Sequence, residues 1–370
     1  MCAESRGPDV RVLIDSLEAG GSERVCVELC NGWAKQGTKV ELVLFTPEGP
    51  SLKLLSERVS LTSLRVSRFR YGVVPLARLV RARPRVPTLT FGYEMGTLMG
   101  LFRFLGLQKA RTVYREGNTP LRYVPSTMRW LYRLIAQNDV VFAQAKSIAQ
   151  ELSHLGVPTR KIQVIANPCP VADSLLRQAV RPPAASPDAE CFLLAAGRLE
   201  PQKGFDRLLR GFQRFAMQRT KARLVILGEG SQRRALLDLA ASLGLERQVE
   251  LPGYVEDMSV WYRRADLFVL SSRYEGQPNV VIEAILHGCR VLCANGGGGT
   301  GELLADCGLS DCLVPDDSFE ATFSDRASLA MNMNAAGFES AREKLVAMTD
   351  VGRVLSAYGE ALKRRMKPES

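Results

Sequence analysis

Histidine is nearly missing from this chain: 370 residues hold only His154 and His287. Neither follows a segment that reads as a buried strand, so catalysis centred on an imidazole is not expected. The nine cysteines include no CxxC pair, and Cys289 and Cys293, four apart, lack the histidine spacing of a zinc pattern. No structural metal or metal cofactor is therefore expected. Cys26, Cys30, Cys191 and Cys293 lie in apolar segments, where a thiol packs as a small hydrophobe. No apolar run reaches the roughly 18 residues that span a bilayer. The opening MCAESRGPDV has no signal-peptide core, which predicts a cytoplasmic protein. A GxGxxG fingerprint is absent after both opening strands, against a dehydrogenase. Aromatic residues make up 7% and no RNA-binding motif occurs, so no nucleic-acid partner is expected.

What is present is a soluble composition, 46% hydrophobic and 24% charged, with enough length for two domains. The net charge of +10 favours an anionic partner. Arg65 to Arg85 holds seven arginines, no acidic residue, and interleaved Phe69, Tyr71, Val73 and Val74. Two readings stand side by side. One is contact with an anionic membrane surface, which would place the protein peripherally at the inner face of the cell membrane. The other is a solvated basic helix.

Strand-like and helix-like segments alternate almost throughout. Val10 to Asp15 reads as a buried strand, Gly20-Gly21 as a break, and Ser22 as the cap of a helix carrying Val25, Leu29 and Trp33. Val40 to Phe45 completes a βαβ unit. Further strands are predicted at Thr88–Phe91, Arg111–Tyr114, Val140–Ala143 and Ile162–Ile165, with helices over Met95–Leu105, Ser126–Ala136 and Ile148–Leu155. Arg181 to Ala189 (RPPAASPDA) reads as a linker. A second series follows, with strands at Phe192–Ala196, Arg223–Leu227, Leu267–Ser271 and Val291–Ala294. Helices are predicted at Phe205–Ala216, Arg233–Leu243 and Val280–His287. The expected architecture is α/β, with two doubly wound Rossmann-like domains facing each other across a cleft. The domains are 1–180 and 190–345, joined by 181–189, and a helix in 346–370 is expected to pack back on the first. Ligands of such sheets lie beyond the carboxyl ends of the strands.

Two constellations occupy such positions. Glu275-Gly-Gln-Pro-Asn-Val-Val-Ile-Glu283 follows ADLFVLSS. Pro278 suits the first helical position, and the N–H groups of Asn279 and Val280 would then face an anion. Glu275 and Glu283 are placed to grip polyols on either side of a phosphate. Glu283 is hard to read as an incidental surface residue, since it lies inside VVIEAIL. Gly197-Arg198-Leu-Glu-Pro-Gln-Lys203-Gly204 follows CFLLAA and supplies a fork and a point charge for a departing diphosphate.

With Gly20-Gly21-Ser-Glu-Arg24, Asn167-Pro168, Leu227-Gly-Glu-Gly230, Pro252-Gly-Tyr-Val255 and Gly288, these motifs resemble family 4 of the retaining glycosyltransferases, which have the GT-B fold. The resemblance spans Val10 to Asp306. It implies that Arg198 and Lys203 hold the donor diphosphate, that Glu283 holds the ribose, and that Glu275 contacts the donor sugar. It further implies that Gly20 and Gly21 approach the phosphates and that Tyr254 and Val255 meet the base. The family retains anomeric configuration by same-face attack and generally needs no metal. The co-substrate would be a nucleotide diphosphate sugar, of the UDP class, and the acceptor a glycan or a lipid-linked molecule in cell-surface polysaccharide synthesis.

Three departures from the family stand out. The histidine of its first domain is absent, and the corresponding stretch is Arg115-Glu116-Gly-Asn118, whose members either replace that sugar or acceptor contact or serve structure. Gln277-Pro278 stands where Phe-Gly is common. Gly296 to Gly299 reads either as a ligand-facing loop or as a loose connector. His287, at a helix end, suits a partly positive ring. Two other functional classes compete: a nucleotide-sugar isomerase or hydrolase on the same architecture, and a non-catalytic binder of anionic polymers.

Overall fold

Thirteen strands, all paired in parallel, organise the computed structural model, which describes residues 7–18, 20–66, 68–169 and 190–363. The first sheet comprises β1 (Val10–Ile14), β2 (Val40–Leu44), β3 (Ser60–Ser63), β4 (Thr88–Phe91), β5 (Thr112–Arg115), β6 (Val140–Ala143) and β7 (Ile162–Val164). Its order is β3-β2-β1-β4-β5-β6-β7. The second comprises β8 (Cys191–Ala196), β9 (Ala222–Leu227), β10 (Val249–Gly253), β11 (Leu267–Leu270), β12 (Val291–Asn295) and β13 (Leu313–Pro315), in the order β10-β9-β8-β11-β12-β13. Each order reverses direction beside its opening strand, between β1 and β4 and between β8 and β11. Loops diverge there, and side chains at the carboxyl ends of both neighbours can meet one ligand.

The chain divides into two compact units, residues 1–170 with 349–370, and residues 171–348. The linker expected at Arg181–Ala189 lies outside the described residues, as does the end of the expected 346–370 helix after Lys363. In the first unit both sheet faces are covered. Val12 and Ile14 point into a core shared with the Gly21–Lys35 and Val351–Lys363 helices, and Leu13 into one shared with Phe69–Ala82 and Tyr93–Phe104. This alternation follows from the two-residue period of a strand. Arg11 shares the second orientation, fully buried beside its register partner Glu41 on β2, with Nε donating to Oε2 at 2.8 Å.

Several boundaries differ from expectation. The single terminal helix is two, Ala335–Met348 and Val351–Lys363, because Asp350 Oδ1 accepts the Arg353 N–H at 2.6 Å and so starts a new helix. Val354, Leu355, Tyr358, Ala361 and Leu362 of the second helix lie in the first unit's core. Ser126–Ala136 is a 3-10 segment, Ser126–Leu131, followed by one helical turn, Tyr132–Ile135. Ser22 does not cap its helix. Gly20 occupies that place without a side-chain bond, and Ser22 lies in the first turn. Strands β3, β10 and β13 add to the expected set, and β10 alternates buried and exposed residues along Val249–Gly253. β3 is a polar, partly exposed edge strand, and β13 has only three residues.

Candidate functional site

The carboxyl ends of β8 and β11 carry the chemistry. After β8 the chain makes a 3-10 turn, Pro201–Lys203, and enters the Phe205–Gln218 helix through Gly204. After β11 it runs Ser271 to Pro278 and enters the Asn279–Leu286 helix. The two loops are clamped. Arg207, buried under Phe319 with its guanidinium carbon 5.1 Å from the ring centre, donates to the carbonyls of Ser271 and Ser272 at 2.7 Å each and pairs with Asp316. Arg273 pairs with Asp206 at 2.8 and 3.0 Å, and its N–H donates to the Gln202 carbonyl at 2.7 Å.

Within this clamp Lys203 Nζ reaches Glu275 Oε1 at 2.6 Å, and Ser272 Oγ donates to the same oxygen at 2.6 Å. Glu275 is 8% exposed. The stem of Lys203 crosses Gly197, where φ is +155° and a Cβ would sit 3.2 Å from the lysine Cε. The glycine therefore makes room for the lysine that the next strand's glutamate receives. Gly298, at φ +84°, bridges to Glu275, whose N–H donates to the Gly297 carbonyl at 3.3 Å and whose carbonyl accepts from Gly299 at 3.2 Å. The glycine run is thus the support of Glu275 and not a loose connector.

The other expected donor residues spread around this pair. Arg198 is exposed, and its guanidinium makes no hydrogen bond among the described residues. Glu283 is half-buried and accepts from Tyr262 Oη at 3.0 Å. Tyr254 is 48% exposed and Val255 half-buried, just past β10. Pro278 is the N-cap and not the first helical residue, so Asn279 and Val280 open the helix. Val281 and Ile282 N–H groups already return to the Pro278 carbonyl, at 3.0 and 3.3 Å. His287 does not carry the charge expected of it. Burial, then the nearby Arg263 charge, lowers its pKa to about 4, and its ring lies 5.4 Å from that of Tyr262.

In the first unit Gly20 precedes the Gly21–Lys35 helix, and the Glu23 carboxylate curls over it. Arg115, 2% exposed at the end of β5, donates to Asn167 Oδ1 at 2.6 Å and to Ser22 Oγ at 3.3 Å, with its guanidinium carbon 5.4 Å from the Phe91 ring centre. It joins three segments of the unit. For Glu116 the surroundings favour the structural alternative. Its carboxylate is buried and takes four donors: Tyr114 and Tyr132 hydroxyls at 2.8 Å each, and the Gly117 and Asn118 N–H groups at 2.9 and 3.2 Å. Burial raises its pKa, against the pull of those donors. No lone pair is left for a substrate, so Glu116 shapes the turn. Asn118 is half-buried and uses Oδ1 on the Thr119 N–H at 2.9 Å, leaving its amide nitrogen without a partner among the described residues.

Reasoning from sequence passed over Ser271, Ser272, Arg207 and Tyr262. The two serines end the apolar run LFVLSS, a strand-end position of the kind that marked Arg198. Among the described residues no group of three or more His, Cys, Asp or Glu is arranged to hold a metal. No helix there is long and apolar enough to cross a membrane.

Two family descriptions match the chain in tandem: "Glycosyltransferase Family 4" over residues 19–172 and "Glycosyl transferases group 1" over residues 190–332. The chain belongs to this class of glycosyltransferases, with the GT-B fold. A Campylobacter jejuni N-acetylgalactosamine-N,N'-diacetylbacillosaminyl-diphospho-undecaprenol 4-alpha-N-acetylgalactosaminyltransferase is 28% identical over 206 residues. That match covers 54% of each protein, so the chain spans about half the length of this relative. The lipopolysaccharide core biosynthesis glycosyltransferase LpsE of Rhizobium meliloti is 25% identical, covering 74% of this chain and 75% of that one. Among solved structures, HepE of Anabaena in complex with UDP and glucose superposes with a TM-score of 0.73 at 17% identity, over 96% of this chain and 99% of that one. TarM of S. aureus superposes with a TM-score of 0.76 at 11% identity, over 97% and 100%.

Proposed function

We propose that the chain transfers a hexose or N-acetylhexosamine, with retention, from a UDP-sugar to a glycan or lipid-linked acceptor in the synthesis of a cell-surface polysaccharide or glycoconjugate. The Lys203–Glu275 pair at the β8/β11 switch point carries this reading. An ammonium there meets the charge that develops on a departing diphosphate, and a carboxylate beside it accepts a hydroxyl of the donor sugar. Arg198, exposed on the same loop as Lys203, adds a second cation. The retained configuration would follow from attack on the face the diphosphate leaves, with a phosphate oxygen taking the acceptor's proton. No residue among those described is needed as a metal ligand in this scheme. The names of the C. jejuni relative and of the HepE complexes favour the UDP-sugar class.

Lipid linkage is favoured by the outer layer of the first unit. All seven arginines from Arg65 to Arg85 are exposed, beside Tyr71 at 54% and Val74 at 56%. The turn after β5 adds exposed Leu121, Tyr123, Met128 and Trp130 with Arg122, Arg129 and Arg133, and no acidic residue between Gly117 and Ile135. Basic and aromatic side chains interleaved in this way suit the headgroup region of an anionic leaflet, which supports a peripheral position at the cytoplasmic membrane face.

The test is a panel of nucleotide sugars with lipid-linked and free glycan acceptors, reading product by mass and its anomeric proton by NMR. Transfer with retention is expected. Donor consumption at the same rate without acceptor would instead favour an isomerase or hydrolase, and inversion would remove the retaining scheme.

A further inference from the structure

We infer that Ser272 is a positioning residue that decides which oxygen Glu275 presents to the donor sugar, an inference that rests on the proposed transferase reading. The Glu275 carboxylate has two oxygens and two side-chain donors, and both donors fall on one of them. Lys203 Nζ and Ser272 Oγ each lie 2.6 Å from Oε1, and Oε2 accepts no hydrogen bond from any described residue. Oε1 is thus engaged and Oε2 offered. A sugar hydroxyl approaching Glu275 donates to Oε2, and the plane of the carboxylate sets which hydroxyl of the ring it can meet.

The two donors differ in how firmly they hold. Lys203 is a point charge on a flexible stem, and a diphosphate entering beside it competes for the same ammonium. Ser272 has no such freedom. It is 2% exposed, its carbonyl is held at 2.7 Å by buried Arg207, and Ser271 before it is tied in twice, by Arg207 on its carbonyl and by its own Oγ on the Lys203 carbonyl at 2.9 Å. Glu275 is fixed in turn at its backbone by the Gly297 carbonyl and the Gly299 N–H. When Lys203 turns to the phosphates, the serine hydroxyl is the side-chain donor that still orients the carboxylate. Ser272 itself touches no reacting atom.

The experiment uses the full chain with Ser272→Ala and Ser272→Thr. Alanine removes only Oγ and leaves the carbonyl on Arg207, so Tm should stay close to wild type. With S272A, kcat should fall about 10-fold or more, on the scale of one lost charge-assisted hydrogen bond, while inhibition by UDP stays within about twofold because Lys203 and Arg198 remain. Discrimination between UDP-glucose and its 4-epimer UDP-galactose, as a ratio of kcat/KM, should shrink, and S272T should restore both readouts. In a Glu275→Gln background the loss of Oγ should add little. Unchanged kcat and discrimination in S272A, or an equal further loss in the E275Q background, would overturn the inference. Should wild type turn over no nucleotide sugar, the transferase reading fails and crystal structures decide this point alone. With pyrophosphate soaked in to draw Lys203 away, Glu275 keeping its rotamer in S272A would then refute a positioning role, and a rotated carboxylate would support it.

Discussion

Lys203 and Glu275, 72 residues apart in the chain, meet at 2.6 Å with side chains only 15% and 11% exposed. The contact exists because β8 and β11 are neighbours in a sheet whose order reverses between them. A partly buried pair of this kind is preorganised. Its charges are already in place, with little water to rearrange, when a diphosphate and a sugar arrive.

Breaking the pair should therefore cost activity much more than fold. Lys203→Ala and Glu275→Ala are each expected to lower kcat/KM by about 100-fold or more, the scale seen when one preorganised electrostatic group is deleted. Circular dichroism should be unchanged. Near-normal turnover in either variant would remove this pair from the reaction.

The first unit holds a more deeply buried ion pair, Arg11–Glu41, and it serves stability. Arg11 is fully buried, Glu41 nearly so, and Arg11 Nη1 and Nη2 have no hydrogen-bond partner among the described residues. Glu41→Ala leaves a buried guanidinium without its carboxylate and should destabilise the unit by about 3–5 kcal/mol. Replacing both residues with apolar ones of similar size should cost much less. Urea titration of the single and double variants separates the two cases.

His287 should make the second unit sensitive to acid. Its pKa in the fold, about 4, lies below the unfolded value of about 6.5. The unfolded chain thus binds the proton more readily, so stability is fully present above about pH 6.5 and declines as pH falls toward about 4. A His287→Phe variant keeps a ring against Tyr262 and lacks the proton. Tm of wild type should fall relative to the variant between pH 7 and 4, and parallel curves would contradict the assignment.

The basic layer predicts salt-dependent binding to vesicles. Sedimentation with vesicles rich in phosphatidylglycerol should weaken as ionic strength rises past about 0.1 M, where screening reaches about 10 Å. Reversing Arg70, Arg78 and Arg81 to Glu should abolish it, and Trp130→Ala should weaken it with less dependence on salt. Equal binding to neutral phosphatidylcholine vesicles would remove the electrostatic contact, and binding to neither would leave a solvated basic helix.

Much of this molecule was legible before any coordinates. Long apolar strands such as Val10–Ile14 and Leu267–Leu270 announce themselves because a strand covered on both faces has no solvent side to alternate with. The linear order of strand, glycine turn and helix marked Gly197 to Lys203 and Glu275 to Glu283 as strand-end segments. Of the four edge strands, only β7 was legible. Ser60–Ser63 and Leu313–Pro315 are held by one neighbour each, and their side chains carry little of the burial that writes a pattern into sequence.

Local sequence also settled which residues carry charge, and it could not settle which of them turn inward. Glu116 and Glu275 both follow parallel strands. One is wrapped by two tyrosines brought from β5 and from the Tyr132–Ile135 turn, and the other keeps an oxygen unengaged beside a lysine from a neighbouring strand. Tyr132 and Lys203 come from 16 and 72 residues away in the chain, so strand order and loop packing bring them within hydrogen-bond reach. Residue type and periodicity determined the two sheets and the candidate loops. The burial of Glu116, the loss of charge on His287 and the seating of Ser272 on Glu275 were decided only when the sheets had formed, since desolvation and hydrogen-bond geometry depend on neighbours in space.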